Sequence, residues 1–334
     1  MVYLTLLLML VVILVAAEVF TNALEHLGER MKISEGVTGS LFAAVGTALP
    51  ETLVPLLAIF AGTADQKLNE DIGVGAILGA PLMLSTLTLF LMAVATLGKR
   101  GFAGEFKPER TGLTRDLNFF LFAFTLAVAA LYVPHDNNTI RAIISGLLVA
   151  TYVVYILLTL RASEKLVQDG HGTEAHAPMF LTRVGLPQHM GTIIGQLILG
   201  LVLLVGGAKG FINGVEEASQ LLDISPLVLS LLIIPIATEL PEKINSVLWI
   251  RKRKDTLAFG NITGAMVFQG TLLPAIGIML TPWDPRVEII SGIIITLVAA
   301  LWMRLLLLRG RLQVWHVTVN GLLYAGYLGI ALSR

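Results

Sequence analysis

Apolar residues run along this chain in blocks that repeatedly reach the roughly 20 residues needed to cross a bilayer as a helix. No alternating ten-residue pattern suggests a membrane barrel. The blocks between polar breaks predict ten spans, at residues 3–24, 36–62, 72–97, 117–133, 139–160, 191–213, 226–249, 257–280, 287–304 and 312–331. The first block has no basic residue before it and no small-residue cleavage site after it, so it reads as a span and not as a secretory signal. The pattern predicts an all-α membrane protein with ten transmembrane helices.

The polar breaks carry a second signal. The loops after spans one, three, five, seven and nine hold 17 of the 23 Lys and Arg residues. The opposite loops and the C-terminus hold only Lys67, Arg141, Arg286 and Arg334, while Lys209 and Lys243 fall inside spans. Because cytoplasmic loops hold the basic excess, this alternation predicts both termini outside. The longest break, 161–190, is polar and contains His171, His176 and His189. It reads as a cytoplasmic linker between halves 1–160 and 191–334, and its histidines follow no repeated ligand spacing.

Sliding the sequence on itself by 191 residues aligns Glu18–Glu51 with Lys209–Glu242 without a gap. Phe20 meets Phe211, Asn22 meets Asn213, Glu25 meets Glu216, and Thr47-Ala48-Leu49-Pro50-Glu51 meets Thr238-Glu239-Leu240-Pro241-Glu242. Beyond the motif the offset becomes 185, which places Gly75 and Gly79 on Gly260 and Gly264. Each half therefore holds five spans. An odd number sends the second copy into the membrane from the opposite side, giving two inverted-topology five-helix repeats of the kind alternating-access transporters use.

Glu51 and Glu242 lie midway along spans two and seven, where a carboxylate is costly unless it is paired or lines a wet cavity. Pro50 and Pro241 precede them, and a proline inside a helix bends it and frees carbonyls one turn earlier. Thr47 and Thr238 stand one turn before each glutamate on the same helix face. Such oxygen donors suit calcium, sodium or protons, not soft metals. The Gly-x-x-x-Gly pairs at Gly75–Gly79 and Gly260–Gly264 predict close helix contacts. The second of these helices adds Asn261, Thr263 and Gln269, where the first offers apolar residues, so the site is expected to be asymmetric.

Composition closes other routes. The chain has 55% hydrophobic and 14% charged residues, where soluble proteins have about a quarter charged. It has no cysteine, which removes disulfides and thiolate sites, and its zero net charge suggests no nucleic-acid partner. No HExxH, Gly-x-Ser-x-Gly or P-loop is present, so neither an enzyme nor an ATP-driven pump is indicated.

These motifs resemble those of the sodium/calcium exchanger superfamily, the calcium/cation antiporters, whose two repeats read approximately Gly-Thr-Ser-Leu-Pro-Glu and then Gly-Asn-x-x-Gly-Ser-Asn. Here they read Gly46-Thr47-Ala48-Leu49-Pro50-Glu51 with GAILGAP, and Ala237-Thr238-Glu239-Leu240-Pro241-Glu242 with GNITGAM. The resemblance covers nearly the whole chain. It implies a ten-helix transporter in which Glu51 and Glu242 bind calcium, the threonines and nearby carbonyls complete the site, and helices one and six slide to switch access. Those two helices hold Glu18 with Asn22, and Lys209 with Asn213.

Positions that supply Ser and Asn ligands in the superfamily are here Ala48, Ala80, Pro81, Leu84, Ala265 and Met266, so sodium sites look depleted. Glu239 replaces a small hydroxyl, and Gln269 stands where members often place Asp or Asn. Glu51, Glu239 and Glu242 cannot all be charged and close without a cation, which makes protonation a candidate counter-reaction. Lys243 directly follows Glu242 and could neutralise one acid, but neighbouring helix residues diverge by about 100 degrees, so it is expected to snorkel or pair elsewhere.

The expected function is secondary antiport of calcium or a related divalent cation for protons or sodium, with Glu51, Glu242, Thr47, Thr238, Glu239, Gln269 and Asn261 as candidate ligands. A cation channel, or Na+/H+ or Mg2+ transport on the same fold, stays open as the alternative. No cofactor beyond the transported ions is expected; the lipid bilayer is the partner, and the sequence leaves the oligomeric state open, a monomer included. The short loops and absence of a regulatory domain point to a prokaryotic plasma membrane.

Overall fold

The computed structural model describes residues 2–30, 49–62, 64–167 and 178–333. Its helices are α1 (Val2–Arg30), α2 (Leu49–Ala61), α3 (Gln66–Met83), α4 (Leu89–Arg100), α5 (Arg110–Ala130), α6 (Asn138–Val167), α7 (Phe180–Arg183), α8 (Met190–Leu222), α9 (Pro226–Thr238), α10 (Leu240–Arg251), α11 (Asp255–Leu280), α12 (Val287–Arg309) and α13 (Val314–Leu332). A π-helical turn, Leu84–Thr88, joins α3 to α4 into one rod of 35 residues, Gln66–Arg100. The only strands among the described residues, β1 (Glu105–Phe106) and β2 (Leu312–Gln313), pair antiparallel between two loops.

This is an all-α membrane protein. Among the described residues, seven helices are long and apolar enough to cross a bilayer by length and composition. The other three predicted spans show why they differ. Residues 36–48 of span two lie outside the described residues, leaving the 13-residue α2. Span seven is divided into α9 and α10 at Glu239. Span ten becomes the 19-residue α13, which carries Trp315, His316, Thr318 and Asn320 among its apolar residues. Helix α6 continues past the expected end of its span to Val167, so the beginning of the predicted linker is helical.

The long helices α1 and α8 pack along each other, and their register gives their direction. Gly200 meets Phe20, Gly207 meets Ile13 and Val12, Gly210 meets Met9, and Gly214 meets Leu6. As numbers rise on α8 they fall on α1, so the two are antiparallel. These are the helices that carry the matching copies Phe20/Asn22 and Phe211/Asn213, and their opposed directions are the inversion that five spans per repeat requires.

Buried apolar residues form two main clusters. One gathers α1, α2, α8 and α9 around residues such as Ile13, Val54, Leu204 and Phe211. The larger one gathers α4, α5, α6, α11 and α12 around Phe120, Phe124, Phe259, Ile278 and Trp283. Both take residues from α3 and α9, which lie at the seam. Close approach there depends on glycine: a Cβ on Gly75 would meet the Ser230 side chain, and one on Gly79 would meet the Leu231 carbonyl and Pro235. Gly260 and Gly264 make no comparable helix contact among the described residues. Residues 35–47, the repeat counterparts of α9, all lie outside the described residues.

Polar clamps fix the ends of the larger body. Arg100 grips both carboxylate oxygens of Asp255 at 2.6 and 2.8 Å and donates to the Ile250 carbonyl at 2.7 Å. The Lys107 backbone N–H adds a third bond to Asp255 at 2.8 Å. At the opposite end, buried Arg141 donates to the carbonyls of Ile278, Thr281 and Pro282, and Arg286 pairs with Asp71 at 2.5 Å. Burial opposes the charge on the Arg286 guanidinium, but the Asp71 hydrogen bond and the charges of its acidic neighbours outweigh it and raise the pKa.

The linker histidines divide. His189 caps α8, its ring accepting from the Thr192 N–H at 3.0 Å, a structural use. His171 and His176 lie outside the described residues.

Because the chain has no cysteine, the antiparallel register can be read by cross-linking. Oxidation should join Leu6→Cys with Gly214→Cys and Phe20→Cys with Gly200→Cys, while the mismatched pair Leu6→Cys with Gly200→Cys stays unlinked on a denaturing gel. Linkage of the mismatched pair would reverse the assignment.

Candidate functional site

The second acidic motif is built by a helix break. Glu239 leaves helical geometry at φ −94° and ψ 10°, ending α9 and standing at the N-terminal boundary of α10. Pro241 then occupies the first turn of α10, where its missing N–H costs no helical bond. The expected bend inside one helix is thus a break between two. Its physical cause is the same: proline cannot donate to the carbonyl of Ala237. The consequence is stronger, since Glu242 now sits in the first turn of a helix, where free N–H groups favour negative charge. Glu51 lies on α2, and the residues before Leu49 are outside the described ones.

The structure buries Glu51, Glu239 and Glu242 together, at 4%, 0% and 5% exposure. Glu51 lies within electrostatic reach of both other carboxylates and of Lys243. One carboxylate oxygen of Glu51 and one of Glu242 have no hydrogen-bond partner among the described residues. A buried, unpartnered carboxylate oxygen is costly, and both oxygens of Glu239 are likewise without a hydrogen-bond partner among the described residues. Among the described residues no three acidic or imidazole groups converge as a metal cage. A cation here would therefore take two carboxylates and complete its shell with neutral oxygens.

The remaining candidates fall around this pair. Thr238 is buried and donates to the Ile234 carbonyl at 3.2 Å, which leaves its oxygen able to accept. Gln269 is fully buried on α11, with neither amide atom hydrogen-bonded among the described residues, and it lies beside Glu239. Asn261 works as a brace: its amide donates to the Glu242 carbonyl at 3.2 Å and to Ser246 Oγ at 3.0 Å, pinning α10 to α11. Thr47 lies outside the described residues. Thr263 points elsewhere, donating to Asp116 at 2.7 Å, an acid that also accepts from the Tyr155 hydroxyl at 3.1 Å.

Lys243 corrects the sequence-based expectation. It neither snorkels nor pairs away from the acids, but is 7% exposed with its ammonium 3.3 Å from Glu239 and 2.7 Å from the Pro235 carbonyl. The 100-degree divergence from Glu242 holds; what it leaves out is that Lys243 lies four residues after Glu239, one turn on and on the same face. Lys209 is exposed on α8 and makes no ion pair among the described residues.

Two further partners carry no sequence signal. The π turn frees backbone groups, and Asn320 of α13 donates to the Ser85 carbonyl there at 2.6 Å. Asp116 is the other, since its contacts come from helices far apart in the chain.

A family model described as sodium/calcium exchanger protein matches residues 1–161 and 192–333. The inner membrane protein YrbG of Escherichia coli K12 is 26% identical over 252 residues, 74% of this chain and 70% of that protein. The putative antiporter CaxA of Alkalimonas amylolytica is 26% identical over 275 residues, 82% of this chain and 79% of its own length. Among solved structures, the H+/Ca2+ exchanger CAX superposes with a TM-score of 0.69 at 17% identity, over 99% of this chain and 87% of that one. The sodium-calcium exchanger NCX_Mj superposes at 0.56 with 20% identity, over 98% and 97%.

The Asp116 cluster makes a structural prediction. Asp116→Ala removes the acceptor shared by two buried hydroxyls and should cost about 1–3 kcal/mol. The check is a lowered melting temperature in detergent, with Asp116→Asn, which keeps one acceptor, losing less.

Proposed function

We propose that this chain, which belongs to the sodium/calcium exchanger protein family, moves Ca2+ across the membrane in exchange for protons by alternating access to a site between Glu51 and Glu242. It is an integral membrane transporter, not an enzyme. The observation that carries the reading is the pair of buried glutamates, repeated in inverted halves, each with an unpartnered carboxylate oxygen.

A divalent ion between the two carboxylates neutralises both, and the flanking Thr47 and Thr238 hydroxyls and the carbonyls at the α9–α10 break complete a hard oxygen shell. When the ion leaves, the carboxylates cannot both stay charged in the low-dielectric interior, so each takes a proton. Exchange is then competition for one site, with no ATP and no covalent step. Protons are favoured over sodium because Ala80, Pro81, Leu84 and Met266 bring no oxygen side chain to the buried helices around the site. Asn261 positions the Glu242 helix, and Gln269 serves as a neutral neighbour that can turn its amide oxygen toward a cation.

Access changes by movement of α1 and α8, which share an apolar cluster largely separate from the larger body. In this reading the two halves 1–160 and 191–334 are the repeats, 161–190 links them in the cytoplasm, and both termini face outside the plasma membrane of a prokaryotic cell.

In proteoliposomes an outward-directed proton gradient should drive Ca2+ uptake, and Glu51→Gln or Glu242→Gln should lower it by more than about 100-fold, the loss expected when one buried charge partner is removed. The same assay with a sodium gradient should give little uptake. Sodium-driven uptake at the proton-driven rate would overturn the counter-ion, and gradient-independent flux would replace the exchanger with a channel.

A further inference from the structure

Lys243 is deeply placed for a residue the exchange reaction does not need. Its ammonium has a carboxylate oxygen of Glu239 at 3.3 Å, the backbone oxygen of Pro235 at 2.7 Å and the sulfur of Met83 at 2.9 Å. A carboxylate and a backbone carbonyl are the donors a small hard cation takes from a protein. The ammonium therefore stands where a monovalent ion would be held.

The internal repeat shows that this pair is an addition. At the offset of 191, Glu239 stands on Ala48 and Lys243 on Thr52. The first half carries neither charge, and both members occur together in the second, one helical turn apart. The repeat unit thus exists in this same chain without the ion pair. Buried ion pairs seldom add net stability, because desolvation offsets their attraction. The pair is better explained by what it does to the charge of the site.

We propose that Lys243 is a built-in monovalent cation: it fills a second cation subsite formed by Glu239 and the Pro235 carbonyl, and it limits exchange to ions that balance two negative charges. The proposal rests on the reading of Glu51 and Glu242 as the exchange site. Every charged group facing the ammonium enters the count. Glu239, Glu242 and Glu51 act on it electrostatically, and Tyr324 of α13 is a neutral neighbour of Glu239. Three carboxylates and one ammonium leave two negative charges, those of Glu51 and Glu242. One Ca2+ or two protons satisfy them equally, so each cycle moves no net charge. Without Lys243 the site would hold three negative charges and would require an additional monovalent ion alongside Ca2+.

Two measurements test this. The first is 22Na+ binding to detergent-purified protein, which needs no transport. Lys243→Gln should bind Na+ at least about tenfold more tightly than the wild type. Lys243→Arg, which keeps the charge, should stay at the wild-type level, and Glu239→Gln/Lys243→Gln, which removes both members, should lose the gained binding. Absence of any gain in Lys243→Gln, or persistence of the gain in the double variant, would overturn the subsite. The second uses only the wild type, so it stands even if the single variant does not fold: Ca2+ uptake at two potentials clamped with potassium and valinomycin should be equal. Uptake that changes severalfold with potential would overturn the charge count. A wild type that takes up no Ca2+ under any gradient would instead refute the exchange reading, and the Na+ binding assay would still decide the subsite.

Discussion

A carboxylate inside a hydrocarbon layer must be compensated, and the architecture around Glu51, Glu239 and Glu242 follows from that constraint. Three acids are buried in one place, and the break at Glu239 addresses them in two ways. It starts a new helix at the Leu-Pro-Glu motif, so Glu242 faces free N–H groups of a first turn. It also leaves Glu239 one turn before Lys243, which supplies a fixed positive charge. All three glutamates keep oxygens without a hydrogen-bond partner among the described residues, and in the proposed reading those of Glu51 and Glu242 take the mobile cation. In the proposed reading, it is this incompleteness that lets an ion be exchanged.

The proposed access movement has a basis in the packing. The helices α1 and α8 share their own apolar cluster with α2 and α9, while α4, α5, α6, α11 and α12 are drawn into the larger one, held at its ends by Arg100–Asp255 and by Arg141 on the α11 terminus. The helix α3 belongs to both and approaches α9 closely through Gly75 and Gly79. A slide of the α1–α8 pair would leave the clamps of the larger body untouched. The side chains that differ between the repeats, Glu239, Lys243, Asn261 and Gln269, all sit in the second half, so pseudo-symmetry governs the scaffold and not the chemistry.

Much of this was legible from the residues. Long apolar blocks marked most spans, the 191-residue offset exposed the repeat, and the odd span count required the inversion that the antiparallel α1 and α8 display. The acidic motifs were visible because glutamate is rare at such depth. Proline chemistry pointed to disruption, but whether a helix bends or breaks depends on the groups that capture its freed ends, and these lie on other helices. The place of Lys243 follows from its one-turn spacing to Glu239 and not from its neighbour Glu242, and their shared departure from Ala48 and Thr52 is the sequence signal of that pairing. The partners Asp116, Tyr155, Asn320 and the π turn were hidden for a plainer reason: their contacts join segments tens to hundreds of residues apart, and no local pattern encodes them.

The central claim is that one cation site lies between Glu51 and Glu242 while Lys243 holds the space beside Glu239. Crystals grown with Sr2+ as a calcium substitute, recorded for anomalous scattering, test it directly. The account predicts a single strong peak bridged by the Glu51 and Glu242 carboxylates, with Lys243 still paired to Glu239. A peak beside Glu239 with Lys243 displaced, or density distant from both glutamates, would contradict it.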